Sequence, residues 1–196
     1  MKNLLLVGSA ALSLTACAKK EDATPTAPAA PAVNEATVNM AATYYDSTPP
    51  RGLSFVANKR QATQYNDRLL LYFTDALDQD RLTFTIPTSK LKPAVVGTYT
   101  LKSQPDPGQG DAEVGYIRAF ASSAVLLNTF GSNGNKLEAG SLIITAYDAS
   151  RHLYSGTYTL TIRNVRDPYS FLTASGLDPR ALCDIRLYGT FTEVGS

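Results

Sequence analysis

The chain of 196 residues has no tryptophan, one histidine, two cysteines and two methionines. Each scarcity removes a class of function. A single histidine, His152, leaves a Ser-His-Asp triad only one base to use, and it lies in Ala149-Ser150-Arg151-His152-Leu153, which reads as a hairpin turn between two strands. Two cysteines make no paired-cysteine metal site. There is no Gly-rich phosphate loop and no G-x-S-x-G elbow. The chain also lacks a basic run and an excess of one charge, with 18 Lys plus Arg against 17 Asp plus Glu. A neutral domain is a poor partner for nucleic acid, whose binding depends on neutralising phosphates. Without tryptophan, the side chain sugar-binding surfaces use most often, aromatic stacking falls to 11 tyrosines and 7 phenylalanines.

Long apolar runs are missing too. The longest, Leu4 to Leu14 (LLLVGSAALSL), is about half the roughly 20 residues a membrane helix needs. It follows Met1-Lys2-Asn3 and precedes Thr15-Ala16-Cys17. A basic start, a short apolar stretch and small residues at the end is the layout of a secretory signal peptide, here residues 1–16. Leu14-Thr15-Ala16-Cys17 resembles the bacterial lipobox. That resemblance implies a diacylglycerol thioether on the Cys17 sulfur, cleavage before Cys17 and acylation of the new amine. Two or more acyl chains anchor a protein stably, whereas one, at about 0.8 kcal/mol per buried CH₂, does not. The membrane is thus an expected partner, through lipid on Cys17. Ala18 is not the aspartate that retains many lipoproteins in the inner membrane. Lys19-Lys20-Glu21-Asp22 is similar to the lysine-plus-acidic signal that sends Bacteroidota lipoproteins to the cell surface, and reads equally well as a hydrophilic linker start. The expected location is the outer membrane, lipid-anchored, at its periplasmic face or the cell surface.

Residues 17–35 are rich in Ala, Pro and Thr and nearly free of large apolar side chains. Such a composition cannot bury enough surface to fold and predicts an extended spacer, reaching up to about 50 Å. Removing residues 1–16 removes Lys2 and no acid, so the mature chain carries 17 charges of each sign. Residues 36–196 are long enough for one domain that buries around two-thirds of its surface.

That domain reads as strands. Leu82, Phe84 and Ile86 alternate with polar positions; so do Tyr158, Leu160 and Ile162 against threonines, and Ile185, Leu187 and Phe191 against Arg186, Tyr188 and Thr190. This period of two marks half-buried antiparallel strands. Leu69 to Thr74 and Leu142 to Ala146 are apolar on both parities and suit strands covered on both faces. Val38–Thr43, Leu53–Ala57, Tyr99–Lys102 and Val114–Ala121 are further candidates, and proline and glycine clusters separate them. The expectation is an all-β fold, an antiparallel β-sandwich or partly closed barrel of about 8–10 strands. Lys59 to Arg68 and Gly176 to Leu182 are read as possible short helices.

Gly97-Thr98-Tyr99, Gly156-Thr157-Tyr158 and Gly189-Thr190-Phe191 share one pattern at uneven spacing. It reads as strand-start chemistry, with glycine supplying a positive φ at a turn or bulge. With Ile144-Thr145-Ala146-Tyr147-Asp148 between the first two copies, the order resembles a group of uncharacterised β-rich lipoproteins of Bacteroidota. The likeness spans residues 97–194 in outline; it implies the all-β fold and the lipoprotein class and carries no activity.

No catalytic or metal residue and no cofactor is expected. Cys183 enters a strand and reads as packing. Asp75, Asp78 and Asp80 lie in one short connection, where clustered carboxylates are the raw material of a Ca²⁺ site. Their spacing fits no EF-hand loop, so a polar hairpin is the better reading. Asp106, Asp111 and Glu113 form a similar loose set. Most of the tyrosines are expected to pack at strand ends with hydroxyls in water. The chain is thus expected to be a membrane-anchored envelope lipoprotein with a non-catalytic binding or structural domain, its partner an envelope protein or glycan. The alternative is a hydrolase of an envelope or extracellular polymer, which needs convergent carboxylates in a cleft.

Overall fold

Alternating side chains build a single curved sheet. The computed structural model describes residues 33–103, 110–120, 126–130, 136–168 and 181–196. They form eleven strands: β1 (Glu35–Tyr44), β2 (Arg51–Val56), β3 (Lys59–Gln64), β4 (Arg68–Thr74), β5 (Asp80–Pro87), β6 (Gly97–Ser103), β7 (Ala112–Phe120), β8 (Leu126–Phe130), β9 (Lys136–Asp148), β10 (Leu153–Arg166) and β11 (Leu182–Val194). A 3₁₀ turn, Thr88–Lys90, is the one helical element among them, and no described helix is long and apolar enough to cross a membrane. The signal peptide, Cys17 and most of the spacer lie outside the described residues, as do Asp106 and the stretch Gly176–Arg180 of the second possible helix. The last spacer residues are folded: Val33 N–H donates to the Glu193 carboxylate at 2.7 Å, and the Asn34 side chain accepts from Arg60 Nε at 2.8 Å.

The strand order is β2-β1-β11-β10-β9-β6-β7-β5-β4-β3, with β8 beside the second half of β7. The sheet curls so that its two ends approach. The link between β2 and β3 clips them: Ala57 N–H donates to Ala36 O on β1 at 2.7 Å, and Asn58 N–H to Thr74 O on β4 at 2.8 Å. Ala62 N–H on β3 then reaches Gly195 O, just past β11, at 3.0 Å. The all-β expectation of a sandwich or partly closed barrel is met. One ladder departs from it, since β6 and β7 pair in parallel over Leu101–Ser103 and Ala112–Val114. Alternation sets which face a residue takes, not the direction of the neighbouring strand.

The inward face carries Val38, Met40, Leu69, Leu71, Phe73, Leu82, Phe84, Ile86, Leu142, Ile144, Leu160, Ile162, Ile185, Leu187 and Phe191, all buried. Phe73 and Phe84 from one half of the sheet meet Tyr158 and Phe191 from the other, with ring centroids 5.1 to 6.2 Å apart. Three expectations are corrected. Leu69 to Thr74 is half-buried, with Leu70 and Tyr72 on a partly exposed outer face, and Leu142 to Ala146 likewise exposes Thr145 and Ala146. Lys59 to Arg68 is β3, a turn and the first residue of β4. Its only buried residue is Ala62, because an edge strand needs little apolar surface. Four tyrosines instead keep their hydroxyls on the protein: Tyr99 donates to Val95 O, Tyr116 to Asp80, Tyr154 to Gln64 at 3.2 Å and Tyr158 to Thr37 O at 2.8 Å. A buried phenol needs such a partner.

The glycine repeat also differs from its strand-start reading. Only Gly97 opens a strand with a positive φ, 150°. Gly156 and Gly189 lie inside β10 and β11, and the two motifs pair reciprocally: Gly156 faces Phe191, Thr157 faces Thr190 and Tyr158 faces Gly189. A Cβ on Gly156 would sit 2.6 Å from the Phe191 ring and 2.1 Å from Ile143 O; one on Gly189 would sit 2.5 Å from the Tyr158 hydroxyl and 2.0 Å from Thr37 O. Each ring lies over the other strand's glycine. Gly156→Ala and Gly189→Ala are therefore expected to destabilise the fold by about 1–3 kcal/mol each. Gly52→Ala, whose Cβ meets nothing closer than Met40 O at 3.6 Å, should change little. Urea midpoints check this, and a Gly156→Ala chain as stable as the parent would refute the pairing argument.

Candidate functional site

The residues singled out in the sequence do not converge. Asp75 accepts from Gln79 N–H at 2.6 Å and Asp80 N–H at 3.1 Å, which closes the β4–β5 turn. Asp78 turns outward to Arg81 at 3.2 Å and Lys59 at 3.6 Å, and the Arg81 hydrogen bond foremost holds its carboxyl below the ordinary value. Asp80 turns inward, buried between the Tyr116 hydroxyl and the Arg118 guanidinium. Asp111 accepts from Lys92 Nζ at 3.3 Å and from Thr100 N–H and Oγ1–H, both at 3.2 Å. Burial pushes its carboxyl up, but these bonds outweigh that and hold it low. Glu113 stands on β7, opposite Thr85. Among the described residues no group of three or more His, Cys, Asp or Glu is placed to hold a metal. Cys183 is fully buried in β11, opposite Tyr44 and Val165.

His152 does belong to a site. An open cleft of about 630 Å³ is lined by Ala62, Thr63, Gln64, Tyr65, Asn66, Tyr147, His152 and Ser196. Two turns build it. The first follows β3, closed by Tyr65 N–H to Arg68 O at 2.7 Å. Thr88 ties it down, its N–H donating to Asp67 O at 2.8 Å and its hydroxyl to Asn66 O at 3.2 Å. The second joins β9 to β10 around Asp148. That carboxylate accepts from Ser150 N–H at 2.9 Å, Ser150 Oγ–H at 2.6 Å, Arg151 N–H at 3.1 Å and Arg151 Nε at 2.6 Å. The bonds from Ser150 and Arg151 pull its carboxyl far below the ordinary value. They hold His152 in the left-handed region, φ 52°.

The floor is aromatic. Tyr147 stacks on Tyr154 with centroids 4.7 Å apart, and its hydroxyl meets His152 Nδ1 at 3.1 Å. Burial drives the Tyr154 phenol well above its usual range, so it stays protonated and donates to Gln64 Oε1. The Gln64 amide nitrogen is thereby left to donate elsewhere. Tyr65, nearly half exposed at 46%, lies under the Arg68 guanidinium, 5.5 Å from its centroid. None of the lining side chains is a carboxylate, a lysine or an arginine. The sequence reading missed the cleft because a helix over Lys59 to Arg68 would have carried Tyr65 along its surface. It also took His152 alone, apart from Tyr147 five residues earlier.

Because Asp148 is depressed in the folded chain, its stabilisation of the turn is complete above the ordinary value of 3.8 and is lost as pH falls through the folded value. Protection of the Ser150 and Arg151 amides against hydrogen exchange should therefore fall with acidification below about 3.8. It should be low at every pH in Asp148→Ala, which has no side-chain acceptor. Equal protection in the two chains would dismiss Asp148 as the organiser of this turn.

No protein-family model, no curated protein and no solved structure matches this chain, so the cleft is read from its own residues.

Proposed function

We propose that the chain is an envelope lipoprotein, anchored through lipid on Cys17, whose β domain is a non-catalytic binding module that works through the cleft of Tyr65, Tyr147 and His152. On this reading residues 1–16 are the signal peptide, the spacer runs from Cys17 to the folded residues at Val33–Glu35, the rest of the chain is the domain, and the anchor would put it at the outer membrane. The resemblance to β-rich Bacteroidota lipoproteins supports the same class. The observation that carries the binding role is the makeup of the cleft: aromatic rings and uncharged hydrogen-bonding groups, held on two turns that internal bonds have already ordered. A site ordered before binding loses less entropy when occupied. The polymer-hydrolase alternative has less support, because a two-carboxylate mechanism needs a pair of acidic side chains at the cleft and none of its lining side chains is acidic.

The anchor is tested by expressing the native chain and Cys17→Ala in a bacterium fed labelled palmitate. The native chain should take up label and sediment with membranes. Cys17→Ala should take up none and leave the membrane fraction or keep its uncleaved leader. A Cys17→Ala protein that stays membrane-bound with its leader removed would overturn the lipoprotein reading.

A further inference from the structure

We infer that the cleft takes a neutral saccharide, its ring stacked on Tyr147 and Tyr65 and its hydroxyls bonded by the Gln64 and Asn66 amides and His152. The inference rests on the reading of the domain as a binding module and adds the chemistry of the ligand. Three observations select that class. The lining side chains are uncharged amides, hydroxyls, tyrosines and one histidine, so an anionic ligand such as a phosphate would meet no lysine or arginine there. The Arg68 guanidinium beside Tyr65 is engaged over that ring and 3.8 Å from Asp67. The lining is too polar for a lipid chain, which wants a continuous apolar wall. A pyranose offers what remains unmatched: an apolar C–H face for an aromatic ring and a rim of hydroxyls for planar amides.

The orientation of the groups sharpens this. Tyr154 covers one face of Tyr147, yet Tyr147 still lines the cleft, so a ligand reaches its open side. The Tyr154 hydroxyl fixes the Gln64 amide with its oxygen inward and its nitrogen available. His152, an exposed residue, uses Nδ1 on the Tyr147 hydroxyl, which leaves Nε2 for a sugar hydroxyl. The volume of about 630 Å³ falls within the roughly 300–1,000 Å³ typical of small-ligand clefts. Its open mouth suits one or two rings of a longer chain passing across it.

The test is calorimetric titration of the full chain in detergent micelles with neutral tetrasaccharides of glucose, mannose, galactose and N-acetylglucosamine, each in turn. At least one should bind. Tyr65→Ala and Tyr147→Ala should each weaken it roughly tenfold, the scale of a lost aromatic contact. Tyr65→Phe, which keeps the ring, should retain affinity, as should Tyr188→Ala, which removes an exposed tyrosine of the outer sheet face. Tyr65 sits on an exposed turn, so its variants test binding and not folding. If no tetrasaccharide binds, or Tyr65→Ala binds as well as the native chain, the assignment is overturned. A photo-crosslinking residue at position 65 separates that failure from failure of the binding module. An envelope protein captured there, without saccharide binding, excludes sugar and keeps a binding surface; neither crosslink nor saccharide binding removes both.

Discussion

Two aromatic rings lying over two glycines are the constraint on which the structure turns. Phe191 and Tyr158 come from neighbouring strands, and each takes the space a Cβ would fill on the other. Only then can both rings lie low against the sheet and meet Phe73 and Phe84 from the opposite wall. A truncated ring in such a cluster costs about 3–5 kcal/mol, a large fraction of what holds a domain of this size together. The arrangement also needs polar closure. The Tyr158 hydroxyl crosses above Gly189 to the Thr37 carbonyl on β1, so three adjacent strands are joined by one side chain.

The same inward row of β10 leads to the cleft. Tyr158, Gly156 and Tyr154 point to one face, and Tyr154 is the member nearest the β9–β10 turn. Its ring supports Tyr147 and its hydroxyl holds Gln64 of β3. Core and site are thus consecutive positions on one strand. That explains how a cleft made of two turns far apart in sequence keeps its shape: its floor is the last layer of the core.

Much of the fold was legible because its signal is local. Leu82, Phe84 and Ile86, or Ile185 and Leu187, declare their inward face by alternation alone. Strand β3 was illegible for the same physical reason: with Ala62 as its only buried residue, it has no apolar period to read. The parallel pairing of β6 with β7, and the meeting of Gly156 with Phe191, depend on register between segments and leave no periodic trace. The glycine repeat was visible, but its role was misjudged. A positive φ at a turn explains Gly97, whereas Gly156 and Gly189 are glycines because of what lies across the ladder from them. The cleft was the least legible part, since Tyr65 and Tyr147 are joined only by the closure of the sheet.

The distribution of charge bears on how such a cleft would work. Beside His152 the ionic groups close on one another, Arg151 bridging Asp148 and Glu193; farther along the strands Arg163 reaches Asp184, and Asp78 holds Lys59 and Arg81. With 18 Lys plus Arg against 17 Asp plus Glu, the chain carries little net charge to steer a charged ligand. Recognition must then come from contact, through stacking and short hydrogen bonds in an open cleft, and such sites are individually weak. A lipid anchor changes that arithmetic. On the proposed reading, many copies held on one surface would present their clefts together, and a polymeric ligand engaging several of them would gain avidity of about 10²–10⁴ without any new contact. On the proposed reading, the anchor and the weak neutral cleft are complementary parts of one binding strategy.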